Sequence, residues 1–467
     1  MFVGRHKELE LLEELYKSQK FEMLILHGRR RIGKSFLLSH FASLHSGSVV
    51  YWTADKSDEA TNVRSFCEEL GRVLSAGEYL ASLRTWQQVY AFINDREISQ
   101  RLVLIIDEFT YLYHSNPAFD SGLQNAIDRI LKHKNIMLVL CGSEVSVIED
   151  IFDSSAKPLY GRKTAELKLF PFTYLEAREF FPQWTNEQVL TAYSILGGVP
   201  LYLSLFDDNL TIEQNVVKVC LSNNGYLFSE PETLLRMELT ETYFYRSILS
   251  AIGTGASTFS QICSQAGDVS SKVAKYIGVL INLGLIRKDI PCGEKEKSRN
   301  AIYSIADNYL AFYFRFIYRY RNMLNGLIDP NLFYQRELTD EHLSAFIGLR
   351  FEDICRSYLR QQFYLGRMPF FAEDLGRWWG NNPAEHRQDE IDIVALDSEN
   401  VLFCECKWTN RRFDIHDLSD LKKSSVCINR PHQYFMIFAK NGVTDEVSAA
   451  IGGNQSYFVV TMNELFK

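Results

Sequence analysis

MLILHGRRRIGKSFLL, residues 23–38, joins an apolar run, a glycine-bounded loop and a helical pattern in that order. Met23 to Leu26 suit a strand covered on both faces. Gly28 and Gly33 bracket four residues and lead into Lys34 and Ser35, the G-x-x-x-x-G-K-S spacing. The glycines let successive N–H groups turn toward one point, and the following helix presents the positive end of its dipole there, so the segment is built to hold phosphate. Lys34 is expected to reach the β- and γ-phosphates and to act in catalysis, while Ser35 holds Mg²⁺. The nucleotide-binding set read from this loop is Gly28, Arg29, Arg30, Arg31, Ile32, Gly33, Lys34, Ser35 and Phe36, with ATP and Mg²⁺ as the cofactors.

Outward from this loop, apolar runs alternate with amphipathic stretches over residues 1–205: EMLILHG, SVVYWTA, RLVLIIDEF, IMLVLCGS and AELKLFPF. Continuous apolar runs of this kind suit parallel strands. The third run ends in Asp107 and Glu108. Asp107 at the carboxyl end of a strand is placed to hold the Mg²⁺ shell through water, and Glu108 to polarise an attacking water, so hydrolysis is expected as well as binding. Ser143, closing the fourth run, lies where a polar group senses the γ-phosphate or positions water. Arg162 stands on a loop before the fifth run. It is either a finger for transition-state charge, in its own subunit or a neighbour's, or a surface arginine.

From 206 to 325 helical periodicity dominates. TFSQICSQAG, VSSKVAKYIGVLINLGLI, a basic turn and AIYSI read as helix, helix and hairpin, the order of a winged helix. Its wing carries Arg287, Lys288, Lys295, Lys297 and Arg299 beside Asp289, Glu294 and Glu296, and either binds DNA or serves in packing. From 340 to 467 a helix precedes EIDIVAL, VLFCECKW, a further helix, QYFMIFA and SYFVVTM. Alternation puts Glu405 and Lys407 on one strand face, and aligns Glu390 with Asp392 on another strand. If the two strands are neighbours, Asp392, Glu405 and Lys407 gather as two metal-binding carboxylates and one ammonium, a catalytic set for phosphodiester chemistry, with Glu352 from the preceding helix alongside.

At 467 residues the chain exceeds one core, and its 46% hydrophobic and 23% charged composition is that of folded protein. A net charge of −8 gives no global attraction to nucleic acid, so any such contact is local. The opening stretch lacks the form of a secretory leader, no run reaches the length of a membrane span, and the nine cysteines form no regular framework. The expected setting is cytoplasmic, with no membrane partner.

The segments FVGRHKEL, HGRRRIGKS, LVLIIDEF, LCGSEVSVI, YGRKTAELKLFPF and LGGVPLYL resemble the bacterial and archaeal STAND-type AAA+ ATPases over the first 325 residues. That resemblance implies that Val3, Gly4 and Arg5 contact nucleotide, that Pro200 touches it from a helical lid, and that Arg162 is a finger. LRFEDIC, GRWWG, EIDIVA and CECKW resemble the PD-(D/E)xK nuclease-like fold, in the version joined to these ATPases as a domain of uncharacterised function. The proline-aspartate element of that pattern is represented here by Ile391-Asp392. The expected fold class is α/β: a P-loop AAA+-like domain over 1–205, a helical lid with a winged helix over 206–325, and a restriction-endonuclease-like α/β domain over 340–467. Two functions follow. One is an ATP hydrolase coupling nucleotide state to a DNA-acting domain, with double-stranded DNA as partner. The other is a STAND-type switch that assembles with further copies of itself and has a non-catalytic carboxyl-terminal domain.

Overall fold

The structure is a computed structural model that describes residues 2–267, 269–295, 298, 300–382 and 385–467. Lys297, Arg299 and Glu296 of the expected wing lie outside the described residues. The chain forms two compact units. One runs through Phe172 and takes in Val199–Leu201, and the other comprises Thr173–Gly198 and Tyr202–Lys467.

The first unit is a parallel sheet of β1 (Glu22–His27), β2 (Val49–Thr53), β3 (Leu102–Asp107), β4 (Ile136–Gly142) and β5 (Ala165–Lys168), in the order β2-β3-β4-β1-β5. Every residue of β1, β3 and β4 is buried. Alternate side chains supply two cores, one holding Met23, Ile25, Leu104, Ile106 and Leu138, the other Leu24, Leu26, Val103, Ile105 and Val139. Covering both faces is what unbroken apolar runs require, and each fully buried Leu or Ile contributes about 1.5–3 kcal/mol. The register pairs His27 with Gly142 and Thr53 with Asp107, so the phosphate loop, the acidic pair and Ser143 all leave the sheet at its carboxyl edge. In open parallel sheets that edge is where ligands bind.

In the second unit the helices Phe259–Ala266 and Ser270–Asn282 precede the antiparallel pair β6 (Ile286–Asp289) and β7 (Ile302–Ile305). Thr258 and Gln261 close a capping box at the first of these helices. A long helix, Asp340–Tyr364, starts at Thr339, whose hydroxyl accepts from His342 N–H, and buries Phe346, Phe351, Ile354 and Leu359. It leads to a five-stranded sheet of β8 (Asp374–Asn382), β9 (Arg387–Leu396), β10 (Asn400–Lys407), β11 (His432–Ala439) and β12 (Tyr457–Thr461). Strands β8, β9 and β10 pair antiparallel, whereas β10, β11 and β12 pair parallel. The neighbouring of β9 and β10, which the sequence could only assume, is therefore found. β8 was not read as a strand: DLGRWWGNN carries two glycines and turn-forming Asp and Asn, and its ladder breaks between Gly376 and Trp378. No helix among the described residues is long and apolar enough to cross a membrane.

Candidate functional site

The phosphate loop turns through left-handed backbone. Gly28 lies at φ 150, Arg31 at φ 70 and Gly33 at φ 88, and Gly33 caps the helix Lys34–Leu44. A Cβ on Gly28 would meet the Leu169 carbonyl at 2.6 Å, so only glycine fits that position. Lys34 is buried, and its Nζ donates to the Gly28 and Arg29 carbonyls at 2.9 Å each. Burial pushes its pKa below the ordinary lysine range, opposed by Cys141, Glu108 and Asp107. The ammonium thus stands over the loop and in the field of the acidic pair.

Asp107 is buried at the end of β3, where Tyr51 of β2 donates to its Oδ2 at 2.7 Å and the Glu108 N–H to its Oδ1 at 3.0 Å. Burial first, then Asp107, raises the Tyr51 phenol pKa, while Ser39 and Ser35 hydroxyls work against that rise. Ser35, Tyr51 and Asp107 are therefore one polar cluster. Glu108 adopts φ 52, and the Ser143 hydroxyl lies 3.2 Å from its Oε2 and 3.3 Å from its Oε1. Among the described residues only six non-glycine positions have positive φ, and Arg5, Arg31 and Glu108 are three of them. Strain of this kind gathers at functional sites because surrounding contacts must impose it. Cys141, buried on β4, completes the cluster beside Asp107.

The amino-terminal segment braces this loop. Arg5, 5% exposed, donates to the Ile32 carbonyl at 3.0 Å and the Phe170 carbonyl at 2.7 Å, and its guanidinium lies 4.2 Å from the Phe172 ring centre. Gly4, at φ 64, lets the chain pass that ring, since a Cβ would sit 3.0 Å from it. Val3 is half-buried beside them. Pro200 lies against Gly33, 3.6 Å from where a Cβ would stand. Phe36 is exposed and stacks on Phe2 at 5.8 Å. Arg162 is held elsewhere: its Nη2 pairs with Asp128 at 2.8 Å and its Nη1 donates to the Pro158 carbonyl at 2.6 Å.

In the second unit β9 and β10 bring the carboxyl-terminal set together. The Cys406 N–H donates to Asp392 Oδ2 at 2.8 Å, and Lys407 Nζ lies 2.6 Å from Glu405 Oε1. Burial, and then repulsion from Asp392, raises the pKa values of Glu352 and Glu405. Asp392 is raised by burial as well, against the opposing pull of its hydrogen bond, Arg377 and Lys407. Burial is the leading cause for all three acids, and Arg377 and Lys407 work against it. No group of three acidic, His or Cys side chains among the described residues is close enough to enclose a metal ion. Two carboxylates fit a Mg²⁺ that keeps several waters, the usual mode for that ion, and do not fit a closed metal cage.

Sequence reasoning missed Tyr51, Cys141 and Arg377. Tyr51 sits in an apolar run with nothing local to separate it from core, and only pairing of β2 with β3 points it at Asp107.

A glycine-bounded phosphate loop at the carboxyl edge of a parallel sheet, facing a strand-end acidic pair, defines a P-loop ATPase. Residues 2–206 match the model of an ATPase domain predominantly from Archaea, and residues 313–420 match that of archaeal and bacterial proteins of unknown function. The chain is 32% identical over 425 residues to the uncharacterized protein MJECL04 of Methanocaldococcus jannaschii, spanning 91% of this chain and 90% of that protein. It belongs to the family of that protein, and its first region is a P-loop ATPase domain of the predominantly archaeal type. A stretch of 41 residues, 9% of this chain, is 49% identical to 70% of the uncharacterized ATP-binding protein MJ0423 of the same organism. Among solved structures, the Walker-type ATPase paby2304 of Pyrococcus abyssi is similar at 21% identity and a TM-score of 0.48, over 67% of this chain and 96% of that one.

Proposed function

We propose that the chain is a Mg²⁺-dependent ATP hydrolase whose nucleotide state governs a DNA-acting carboxyl-terminal domain. Ser35 directly and Asp107 through water would hold the ion, which when bound supplies neutralisation of phosphate charge. Lys34 moves its donors from loop carbonyls to phosphate oxygens. Glu108 accepts a hydrogen bond from the attacking water, and Ser143 fixes the carboxylate that does so. Tyr51 keeps Asp107 from rotating away. Arg5 and Pro200 secure the loop, and Val3 and Gly4 carry the chain past the base. Arg162 has to release Asp128 before it can meet a γ-phosphate in its own subunit or a neighbour's.

The DNA reading rests on one observation, the meeting of Asp392 with Glu405 and Lys407 across β9 and β10. Asp392 and Glu405 would hold Mg²⁺, and Lys407 would steady the charge on a phosphodiester under attack. The helix pair and the β6–β7 hairpin are read as a winged helix of the same DNA-facing part. Restriction-endonuclease-like architecture is part of this proposal, supported by the helix-strand-strand order. The Lys407–Glu405 ion pair favours a second reading, a STAND-type switch whose carboxyl-terminal domain has no catalysis and which resets by hydrolysis. Incubating wild type and Asp392→Ala with supercoiled double-stranded DNA, Mg²⁺ and ATP separates them. Nicking by wild type alone supports the DNA reading. Identical behaviour of the two proteins, with ATP turnover indifferent to DNA, leaves the switch.

A further inference from the structure

The ladder between β8 and β9 breaks where the carboxylate set begins. Gly376 pairs with Val394 and Trp378 with Ile391, so Arg377 alone stands opposite two residues of β9, Asp392 and Ile393. A bulge of this kind re-aims the side chains beside it. The turn that follows β6 clasps the bulge from its other side. There the Cys292 N–H donates to the Arg377 carbonyl at 2.8 Å, the Cys292 thiol to the Val394 carbonyl at 3.4 Å, and the Gly293 N–H to Asp374 Oδ2 at 2.8 Å. The backbone that carries Arg377 is thereby fixed against Asp392.

The Arg377 Nη2 pairs with Glu390 Oε2 at 2.8 Å, on the β9 face that alternation also gives to Asp392. That partner is 62% exposed, whereas the arginine is 21% exposed, so water answers much of the Glu390 charge. Glu352, from the long helix, lines a cavity of ≈ 350 Å³ together with Arg377. The neighbouring cations are committed to other acids. Lys407 lies 2.6 Å from Glu405, and Arg287, Arg356 and Arg350 share Asp353 at 2.9, 3.4 and 3.9 Å. Burial raises the pKa values of Glu352 and Asp392, and of the cations opposing that rise Arg377 outweighs Arg356 at the first and Lys407 at the second.

We propose that Arg377 is the resident counter-cation of Asp392 and Glu352, and that a divalent ion binding these carboxylates does so against its charge. A guanidinium does not release its proton, so this opposition is present at every working pH. Two like charges drawn to the same carboxylates repel one another, and the partly buried setting screens that repulsion less than water would. Arg377, a residue outside the lysine-bearing strand, is then the one that sets how tightly the ion is held. The inference rests on the metal-dependent reading of the carboxylate set given above, and it is independent of whether DNA is cleaved there.

The test is isothermal titration of Mn²⁺, which takes the same oxygen ligands as Mg²⁺, into the full chain without nucleotide. Wild type, Asp392→Ala, Arg377→Gln and Arg377→Lys are compared, and the binding that Asp392→Ala loses is that of the carboxylate set. The expected result is that Arg377→Gln holds this ion about 10-fold more tightly than wild type, while Arg377→Lys, which keeps the charge, stays within about 2-fold of it. A role confined to bracing the fold would not give a neutral variant the tighter binding. Arg377→Met replaces the glutamine variant if that protein loses its near-ultraviolet dichroism. Equal or weaker binding by the folded neutral variant overturns the proposal and leaves the metal reading standing, as does an Arg377→Lys protein that binds as tightly as the neutral one. Identical titrations of wild type and Asp392→Ala overturn both.

Discussion

The acids of the nucleotide site and those of the carboxyl-terminal sheet differ in who answers their charge. Asp107 and Glu108 each meet neutral donors of the protein, Tyr51 and a backbone N–H for one, Ser143 for the other, with Lys34 close by. Asp392, Glu405 and Glu352 instead lie where burial raises their pKa values, although Asp392 accepts the Cys406 N–H and Glu405 is ion-paired to Lys407. The first site is organised by the fold before any ligand arrives. The second holds carboxylates whose charge burial disfavours and a bound cation would favour.

The sharpest break of this comparison lies at Lys34. Lys34→Ala is expected to lower ATP turnover by at least about 1000-fold, measured as phosphate release, because its ammonium is the one bonded to the loop carbonyls among the described residues. Glu108→Gln should reduce kcat about 100-fold while ATP binding persists, since the amide keeps the Ser143 contact but is a poor acceptor for the water's proton. Tyr51→Phe, losing one hydrogen bond to Asp107, should cost about 10-fold in kcat and raise the Mg²⁺ concentration needed for half-maximal rate. At the second site the sign reverses. Glu352→Gln is expected to stabilise the protein by about 1 kcal/mol, a melting point about 2 °C higher, and added Mg²⁺ should raise the melting point of wild type more than that of the variant.

The smallest effect concerns pH. His27, on β1 below the phosphate loop, is 1% exposed and bonded to Glu166 at 2.9 Å, and burial lowers its pKa despite that partner. The unfolded chain, with an ordinary histidine value near 6.5, then binds the proton more tightly than the folded one. This contribution is present above about pH 6.5 and lost as pH falls through the folded value. Thermal melts between about pH 7.5 and 5.5 should decline more steeply for wild type than for His27→Gln, by up to about 1 kcal/mol.

Legibility in the sequence followed the range of the interactions. Of the five parallel strands, β1, β3 and β4 could be read because they are buried on both faces, which leaves an unbroken apolar run. The loop could be read because its glycines, lysine and serine are contiguous. Asp392 and Glu405 were nominated by alternation within each strand, but their meeting depended on β9 pairing with β10. Tyr51 and Arg377 were beyond reach, since each acquires its role only through a neighbouring strand. β8 was obscured by its own glycines and bulge.

The most direct test of the account is ATP hydrolysis by wild type and Glu108→Gln, each with Mg²⁺ and with EDTA, alongside equilibrium binding of a labelled ATP. The account predicts turnover by wild type only with Mg²⁺, and a variant that binds ATP as well but hydrolyses it about 100-fold more slowly. A Glu108→Gln protein that turns over at the wild-type rate would contradict it, because the acid held by Ser143 would then have no part in activating water.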